Sequence, residues 1–274
     1  LDKVYKTESP AYIDRLASIY LRPEDAHLTE PTIYDDMLKK TLIAAVARAY
    51  KPEGHKFDNA CVLLGEQGAR KSTFWSTLGG EFFSDGLRDI NGKDSLMILH
   101  RSWICELAEL ESITSKKMAG DIKSFLSQET DVFRVPYGKV TEAFPRRGII
   151  VGSTNRHDGF LVDETGNRRF WIIRLGEGIN IENPIDVEGL KNERDQIWAA
   201  AVLAYKNGES TYLTKENEVK VNEENLDYLI ESPWKSVIQS FCDTPSNYHR
   251  DLTTEVVLTE AIEKPIERQT RYDQ

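Results

Sequence analysis

Apolar positions recur along this chain with two different periods, and the alternation between them sets out a mixed α/β fold. Tyr12, Leu16, Ile19 and Tyr20 fall at helical spacing. A stronger helix is expected over Thr32–Tyr50, where Ile33, Met37, Leu42, Ala45, Val46 and Ala49 share one side. Pro31 near its start and Pro52 beyond its end are compatible with it. A polar link, Lys51–Asn59, leads into the apolar run Cys61–Leu64, read as a buried strand. Thr73–Leu78 then continues a helix that stops at Gly79-Gly80, and Glu81–Lys93 reads as loop. Trp103–Leu110 is an apolar strand broken by carboxylates. Ser115–Ser127 reads as a helix with Met118, Ile122 and Leu126 on one face. Residues 131–141 read as two short strands around Tyr137-Gly138.

Two further buried-type strands are expected. One runs from Gly148 into Ser153-Thr154-Asn155, the other follows the turn at Gly166 and covers Phe170–Ile173. The C-terminal part is mainly helical. Asp186–Tyr205 has Asp186 as N-cap and Gly208 just past its end. Residues 209–232 are strongly charged and read as a solvated helix or linker. Pro233–Cys242 and Leu252–Ile262 complete the pattern.

Composition narrows the function classes. A hydrophobic share of 40% and a charged share of 29% describe a globular chain of 274 residues. No apolar run approaches the roughly 18 residues of a membrane span, and no signal-peptide pattern opens the chain. Cys61 and Cys105 lie in apolar strands and Cys242 stands apart, so a reducing, cytoplasmic setting is expected. The histidines show no paired spacing with cysteine that would suggest zinc. A net charge of −10 weighs against unaided binding of duplex DNA, though not against a local basic channel. The chain opens at Leu1 without methionine, so it is read as a possible piece of a longer protein.

The sharpest chemistry lies at Gly65-Glu66-Gln67-Gly68-Ala69-Arg70-Lys71-Ser72-Thr73, between a strand and a helix. That is the order of a phosphate-binding P-loop. Backbone N–H groups cradle an anion, Lys71 neutralises the β- and γ-phosphates, and the Ser72 hydroxyl ligates Mg²⁺. The usual pattern places glycine before the lysine, where this chain has Arg70. A left-handed backbone there costs roughly 1–2 kcal/mol for a residue with a Cβ, while the guanidinium is able to reach a phosphate.

Weaker signals follow in order. Glu106 and Glu109 punctuate the strand that a nucleotide-binding sheet needs beside the P-loop strand; one would hold Mg²⁺ and the other polarise water, or both are solvated strand-end carboxylates. Asn155 either orients a water or forms a turn. Arg168 and Arg169 either reach a neighbouring subunit's nucleotide or pair with carboxylates at the surface. Tyr137 and Lys139, with Arg134 nearby, offer a π-face and cations to a single strand, or form an ordinary polar hairpin.

Jointly these motifs resemble the virulence-associated E family, phage- and island-borne relatives of the superfamily 3 helicases within the AAA+ ATPases. Other matches are Ala45-Val46-Ala47-Arg48-Ala49-Tyr50, Lys56-Phe57-Asp58 and Val135-Pro136-Tyr137-Gly138-Lys139. The resemblance runs from about Tyr34 to Leu175, and more loosely to about Arg271. It implies an AAA+-type P-loop sheet, with a helical region at 1–55, the ATPase core at 56–176 and a mainly helical region at 177–274.

It further implies an ATP-driven, hexameric ring translocating on single-stranded DNA in the replication of a mobile element, often with a primase domain preceding. In that picture Gly65–Thr73 bind ATP and Ser72, Glu106 and Glu109 hold Mg²⁺. Asn155 is the sensor, Arg168 or Arg169 the finger, and Arg134, Tyr137 and Lys139 the grip on DNA. Two other readings compete: a nucleotide-switched oligomeric interaction protein without unwinding, and a small-molecule kinase.

Overall fold

The computed structural model describes residues 1–8, 11–87, 90, 92–108, 119–135, 138–157, 159–161, 167–230 and 234–263. They fall in two compact units, Leu1–Leu229 and Ile230–Gln274. The first unit opens with α1 (Asp2–Thr7), α2 (Leu16–Tyr20) and α3 (Ile33–Tyr50). The sheet region contains β1 (Ala60–Leu64), α4 (Lys71–Gly79), β2 (Phe83–Ser84), α5 (Lys93–Arg101), β3 (Ile104–Ala108) and α6 (Ala119–Ser127). It continues through β4 (Thr130–Phe133), β5 (Glu142–Pro145), β6 (Ile149–Thr154) and β7 (Phe170–Arg174). Helices α7 (Val187–Lys206) and α8 (Lys215–Glu224) close the unit.

Five strands form one parallel sheet in the order β2-β3-β6-β1-β7. Helices cover both faces, which is why β1 is buried along its whole length and reads as a continuous apolar run. Cys61, Leu63, Val151 and Ile173 face the core shared with α3, α4 and α7. Val62, Leu64, Leu107, Ile150 and Ile172 face the core shared with α6. Thr32 caps α3 by a reciprocal capping box with Asp35, and Asp186 caps α7 through the Gly189 amide at 2.9 Å.

Three details differ from what the sequence pattern suggests. The carboxylate-bearing strand β3 is not beside β1, the strand that leads into the Gly65–Ser72 turn; β6 lies between them. Order along the chain does not dictate order across a parallel sheet, because each crossover is long enough to skip a position. Within the stretch read as loop, Phe83–Ser84 pair with β3 as a two-residue edge strand. Helix α5 carried no expectation; its apolar residues Leu96–Leu99 are consecutive, and its helical patterning comes from the charged residues at its two ends.

Arg48 locks the polar link to the sheet from within the core. It is 2% exposed, and its guanidinium donates to the carbonyls of His55 (3.1 Å), Phe57 (2.7 Å) and Gly148 (2.7 Å). Burial lowers its pKa to about 10, with Arg146 adding like charge. Gly148 itself passes close to another strand's lead-in: a Cβ there would stand 2.5 Å from the Ser102 carbonyl oxygen and 2.8 Å from that of Trp103. Neither oxygen is able to retreat without breaking backbone geometry. Gly148→Ala is therefore expected to destabilise the unit by about 1–3 kcal/mol, read as a lower urea midpoint with an unchanged slope.

The second unit holds α9 (Lys235–Cys242) and α10 (Thr254–Val256), the latter running into a π-helical turn at Val257–Ala261. Arg250 grips Glu260 with two hydrogen bonds of 2.8 Å each.

Candidate functional site

The turn after β1 is shaped by close packing. The Leu175 side chain occupies the space a Cβ on Gly65 would need, at 2.8 Å, and Ile181 does the same over Gly68, whose φ is +86°. Arg70 then adopts a left-handed conformation, φ 65° and ψ 33°, and serves as N-cap of α4. Glycine is the usual solution at such a position; here the strain is retained and the arginine side chain is exposed.

Lys71 opens the helix. Its Nζ donates to the carbonyl oxygens of Gly65 and Glu66, both at 2.7 Å, which holds the ammonium over the mouth of the loop. The Ser72 hydroxyl, one residue on, donates to Glu106 Oε1 at 2.9 Å and lies 3.5 Å from Ser153 Oγ. Helix α4 is thus joined to the acidic strand β3 across the intervening β6. Glu106 is fully buried, and its Oε2 has no hydrogen-bond partner among the described residues. Burial pushes the Glu106 carboxyl up from its ordinary value; the Ser153 and Ser72 hydroxyls pull it back, and Asp85 adds like charge.

A hydroxyl and a carboxylate with an unused oxygen form the donor set expected of Mg²⁺, which takes one or two carboxylates and completes its shell with phosphate and water. No group of three or more His, Cys, Asp or Glu able to cage a metal occurs among the described residues.

Asn155 stands exposed just past the end of β6. The strand end is tied to the loop because the Gly65 amide donates to the Thr154 carbonyl at 3.2 Å. Gly65, Lys71, Ser72 and Asn155 accordingly stand at the C-terminal rim of the sheet, whereas Glu106 is mid-way along β3 opposite Val151, a buried carboxylate and not a solvated strand-end one, and it meets them through Ser72. Thr73 is exposed one residue into α4. Glu109 and Tyr137 lie outside the described residues.

Arg168 and Arg169 are not brought to this rim. They precede β7, whose first residue Phe170 pairs with Ala60, so they sit at the opposite end of a five-residue strand, about 16 Å away at ~3.3 Å per residue. The Arg168 carbonyl accepts from Asn59 Nδ2 at 3.0 Å while its side chain is exposed. Arg169 is half-buried, its Nε donating to Ser127 Oγ at 3.0 Å. Both border an open cavity of about 470 Å³ that Lys56 and Tyr212 also line.

The β4–β5 hairpin forms its own antiparallel pair, with Asp131 opposite Phe144. Its inner face is pinned: Arg146 donates to Asp131 through Nε (2.7 Å) and Nη2 (2.8 Å), and also reaches the Phe125 carbonyl and Gln128. His100 of α5 meets the same carboxylate at 2.8 Å. Beyond this base, Arg134 and Lys139 are exposed, as are Val132 and Val140.

Sequence reasoning missed three contributors: Ser153 as a neighbour of Ser72, Asp85 as a carboxylate near Glu106, and the His100–Asp131–Arg146 anchor. Ser153 was visible as part of a polar strand end. Nothing in the pattern pointed to the other two.

The virulence-associated protein E-like domain family matches residues 6–230. Among solved structures the chain is similar to the apo C-terminal region (305–718) of NrS-1, with a TM-score of 0.51 and 16% identity over 96% of this chain and 63% of that one. The A form of the same region gives 0.53 and 15% over 94% and 61%. The chain therefore spans about three-fifths of these regions, and at such identity the likeness concerns the fold. No curated protein matches it in sequence.

Proposed function

The chain belongs to the virulence-associated protein E-like family, and on that premise we propose that it is an ATP-hydrolysing, helicase-like motor acting on single-stranded DNA in the replication of a phage or mobile element. The observation that carries this reading is the Ser72–Glu106 hydrogen bond at 2.9 Å, which joins the P-loop helix to a fully buried carboxylate with a spare oxygen. An AAA+-type core is supported by the strand order, with β6, just past whose end Asn155 stands, inserted between the P-loop strand and the acidic strand.

In this reading the backbone of Gly65–Thr73 and the Lys71 ammonium bind the ATP phosphates. Ser72, Glu106 and Glu109 would hold Mg²⁺, which would supply charge neutralisation at the β- and γ-phosphates. Lys71 exchanges its two carbonyl partners for phosphate oxygens. Asn155 orients the attacking water by hydrogen bonding. Arg168, exposed on the far rim, acts in trans, because its own site lies a strand length away. That requirement makes a ring, hexameric in the family's picture, the working unit, with a primase domain or partner beside it. Each subunit adds Arg134, Tyr137 and Lys139 to a shared channel, so an acidic chain still holds DNA by multiplying weak contacts. The regions 1–55, 56–176 and 177–274 then serve as helical lead-in, ATPase core and helical C-terminal part of a cytoplasmic protein. Among the described residues no helix is long and apolar enough to cross a membrane.

The test is ATP hydrolysis with and without single-stranded DNA, for the parent and Lys71→Ala. Hydrolysis stimulated by DNA and reduced about 10²–10³-fold in the variant is expected, the scale for losing one preorganised charge donor. Hydrolysis indifferent to DNA sinks the motor. A second reading, a nucleotide-switched interaction protein, is favoured by the strained Arg70 at the loop; ATP bound tightly without turnover selects it.

A further inference from the structure

The rim of the sheet where β7 begins opens onto the cavity of about 470 Å³ that Arg168 and Arg169 border. A strand length, roughly 16 Å, separates it from the Gly65–Ser72 loop. Its frame is pinned. Buried Asn225 donates through Nδ2 to the carbonyls of Asn167 (2.8 Å) and Phe170 (2.9 Å), which brackets the turn carrying both arginines. Asn59 Nδ2 holds the Arg168 carbonyl at 3.0 Å, and Ser127 Oγ accepts from Arg169 Nε at 3.0 Å. One side of α8 forms a facing wall, with Glu218, Val221 and Asn222 at i, i+3 and i+4.

The charges point to an anion. Lys56, Arg168 and Arg169 all line the cavity. Among the described residues none of the three forms an ion pair, although the chain has 45 acidic residues against 35 basic ones. Three unpaired cations around one space repel one another, and a bound anion relieves that repulsion. Phosphate suits them, because a planar guanidinium meets its oxygens in pairs.

The rest of the lining points to a planar group attached to that anion. Trp171 and Val221, each 2% exposed, supply apolar surface beside the half-buried Tyr212. Tyr212 donates its hydroxyl to the Lys56 carbonyl at 2.5 Å and is backed by the Phe57 ring at 6.5 Å. What it offers a ligand is therefore its ring. Asp58 and Glu218 also line the space; they accept from sugar hydroxyls or a base amine and disfavour additional phosphates. A cavity of this size holds a single nucleotide.

We propose that this cavity is a second nucleotide site, which takes one nucleoside monophosphate unit with its phosphate on Lys56, Arg168 and Arg169 and its ring against Tyr212. The site goes beyond the motor reading and does not depend on the Gly65–Ser72 loop. Arg168 is exposed, and it serves either this cavity or a neighbouring subunit, not both at once.

Calorimetric titration of the full chain with AMP tests the site, in the Lys71→Ala background so that the loop does not contribute. One binding event is expected. Lys56→Glu weakens it at least about tenfold, the scale of one charge-assisted hydrogen bond. Asn222→Trp fills the cavity with an indole and abolishes binding. Both positions are exposed, and unchanged urea midpoints verify that the variants fold. Inorganic phosphate, which lacks the ring, binds at least about tenfold more weakly than AMP. A 5′-phosphorylated octathymidylate separates the two sources of the unit: binding that matches AMP and is lost in the same variants identifies the end of a strand, whereas AMP binding alone identifies a free nucleotide. No AMP binding at millimolar concentration, AMP held no better than phosphate, or AMP binding indifferent to both substitutions overturns the site.

Discussion

Replacing Arg168 by alanine is expected to lower ATP turnover of the assembled protein by about 10³–10⁵-fold, the scale of an arginine finger, while leaving ATP affinity nearly unchanged. The expectation follows from position. Arg168 is exposed at the start of β7, on the rim opposite Lys71 and Ser72, so it cannot serve the loop of its own chain. Its neighbour Arg169 is engaged with Ser127 at 3.0 Å, which makes it the poorer choice for reaching a second subunit. Arg169→Ala should therefore cost stability more than turnover. The decisive measurement mixes two inactive variants, Arg168→Ala and Lys71→Ala. If the finger acts in trans, mixed rings contain interfaces with an intact loop facing an intact arginine, and part of the activity returns. A mixture as inactive as its components, with assembly verified, would falsify the trans assignment.

Arg146→Ala carries the largest expected loss of stability, about 3–5 kcal/mol, because it strands a buried carboxylate. Arg146 and Asp131 have side chains only 1% and 2% exposed. Their two-pronged contact also closes the hairpin onto α6 through Gln128 and the Phe125 carbonyl. Lysine is expected to recover little, since one ammonium cannot span the partners a planar guanidinium reaches.

Acid should expose the same pair. Burial alone pushes the Asp131 carboxyl up, but hydrogen bonds from Arg146 and His100 outweigh it and hold it at about 2 against an ordinary 3.8. A carboxyl depressed in the fold binds its proton less tightly there than in the unfolded chain. Its contribution is thus fully present above pH 3.8 and drains away as pH falls through about 2. Urea midpoints measured across that window should fall for the parent and much less steeply for Arg146→Ala. Parallel curves would show that the pair is not what acid attacks.

Under the proposed function the anchor also bears on DNA. Arg134 and Lys139 lie on the connection between β4 and β5, whose base the Arg146–Asp131 contact fixes. A loosened base is expected to weaken DNA stimulation of hydrolysis before it weakens hydrolysis itself.

Much of the fold was legible from the residues because its signals are local. Asp186 before α7 and the run Cys61–Leu64 declare a helix start and a buried strand from adjacent positions alone. The Gly65–Ser72 turn was legible as a candidate site for the same reason: its glycines, lysine and serine fall within eight residues.

What escaped depended on residues far apart in the chain. Placing β6 between β1 and β3 is a choice among crossovers that leaves no mark on any one strand. That choice brings Ser72 to Glu106, 34 positions away, and sets Ser153 beside them. Arg168 falls on the far rim for a different reason: it precedes β7, which runs parallel to β1. The sequence by itself determined which residue types stand at each strand end, because propensity, capping and periodicity are short-range. Only the tertiary structure decided which ends share a rim and which carboxylate loses its water, because sheet order and burial are properties of the packed whole.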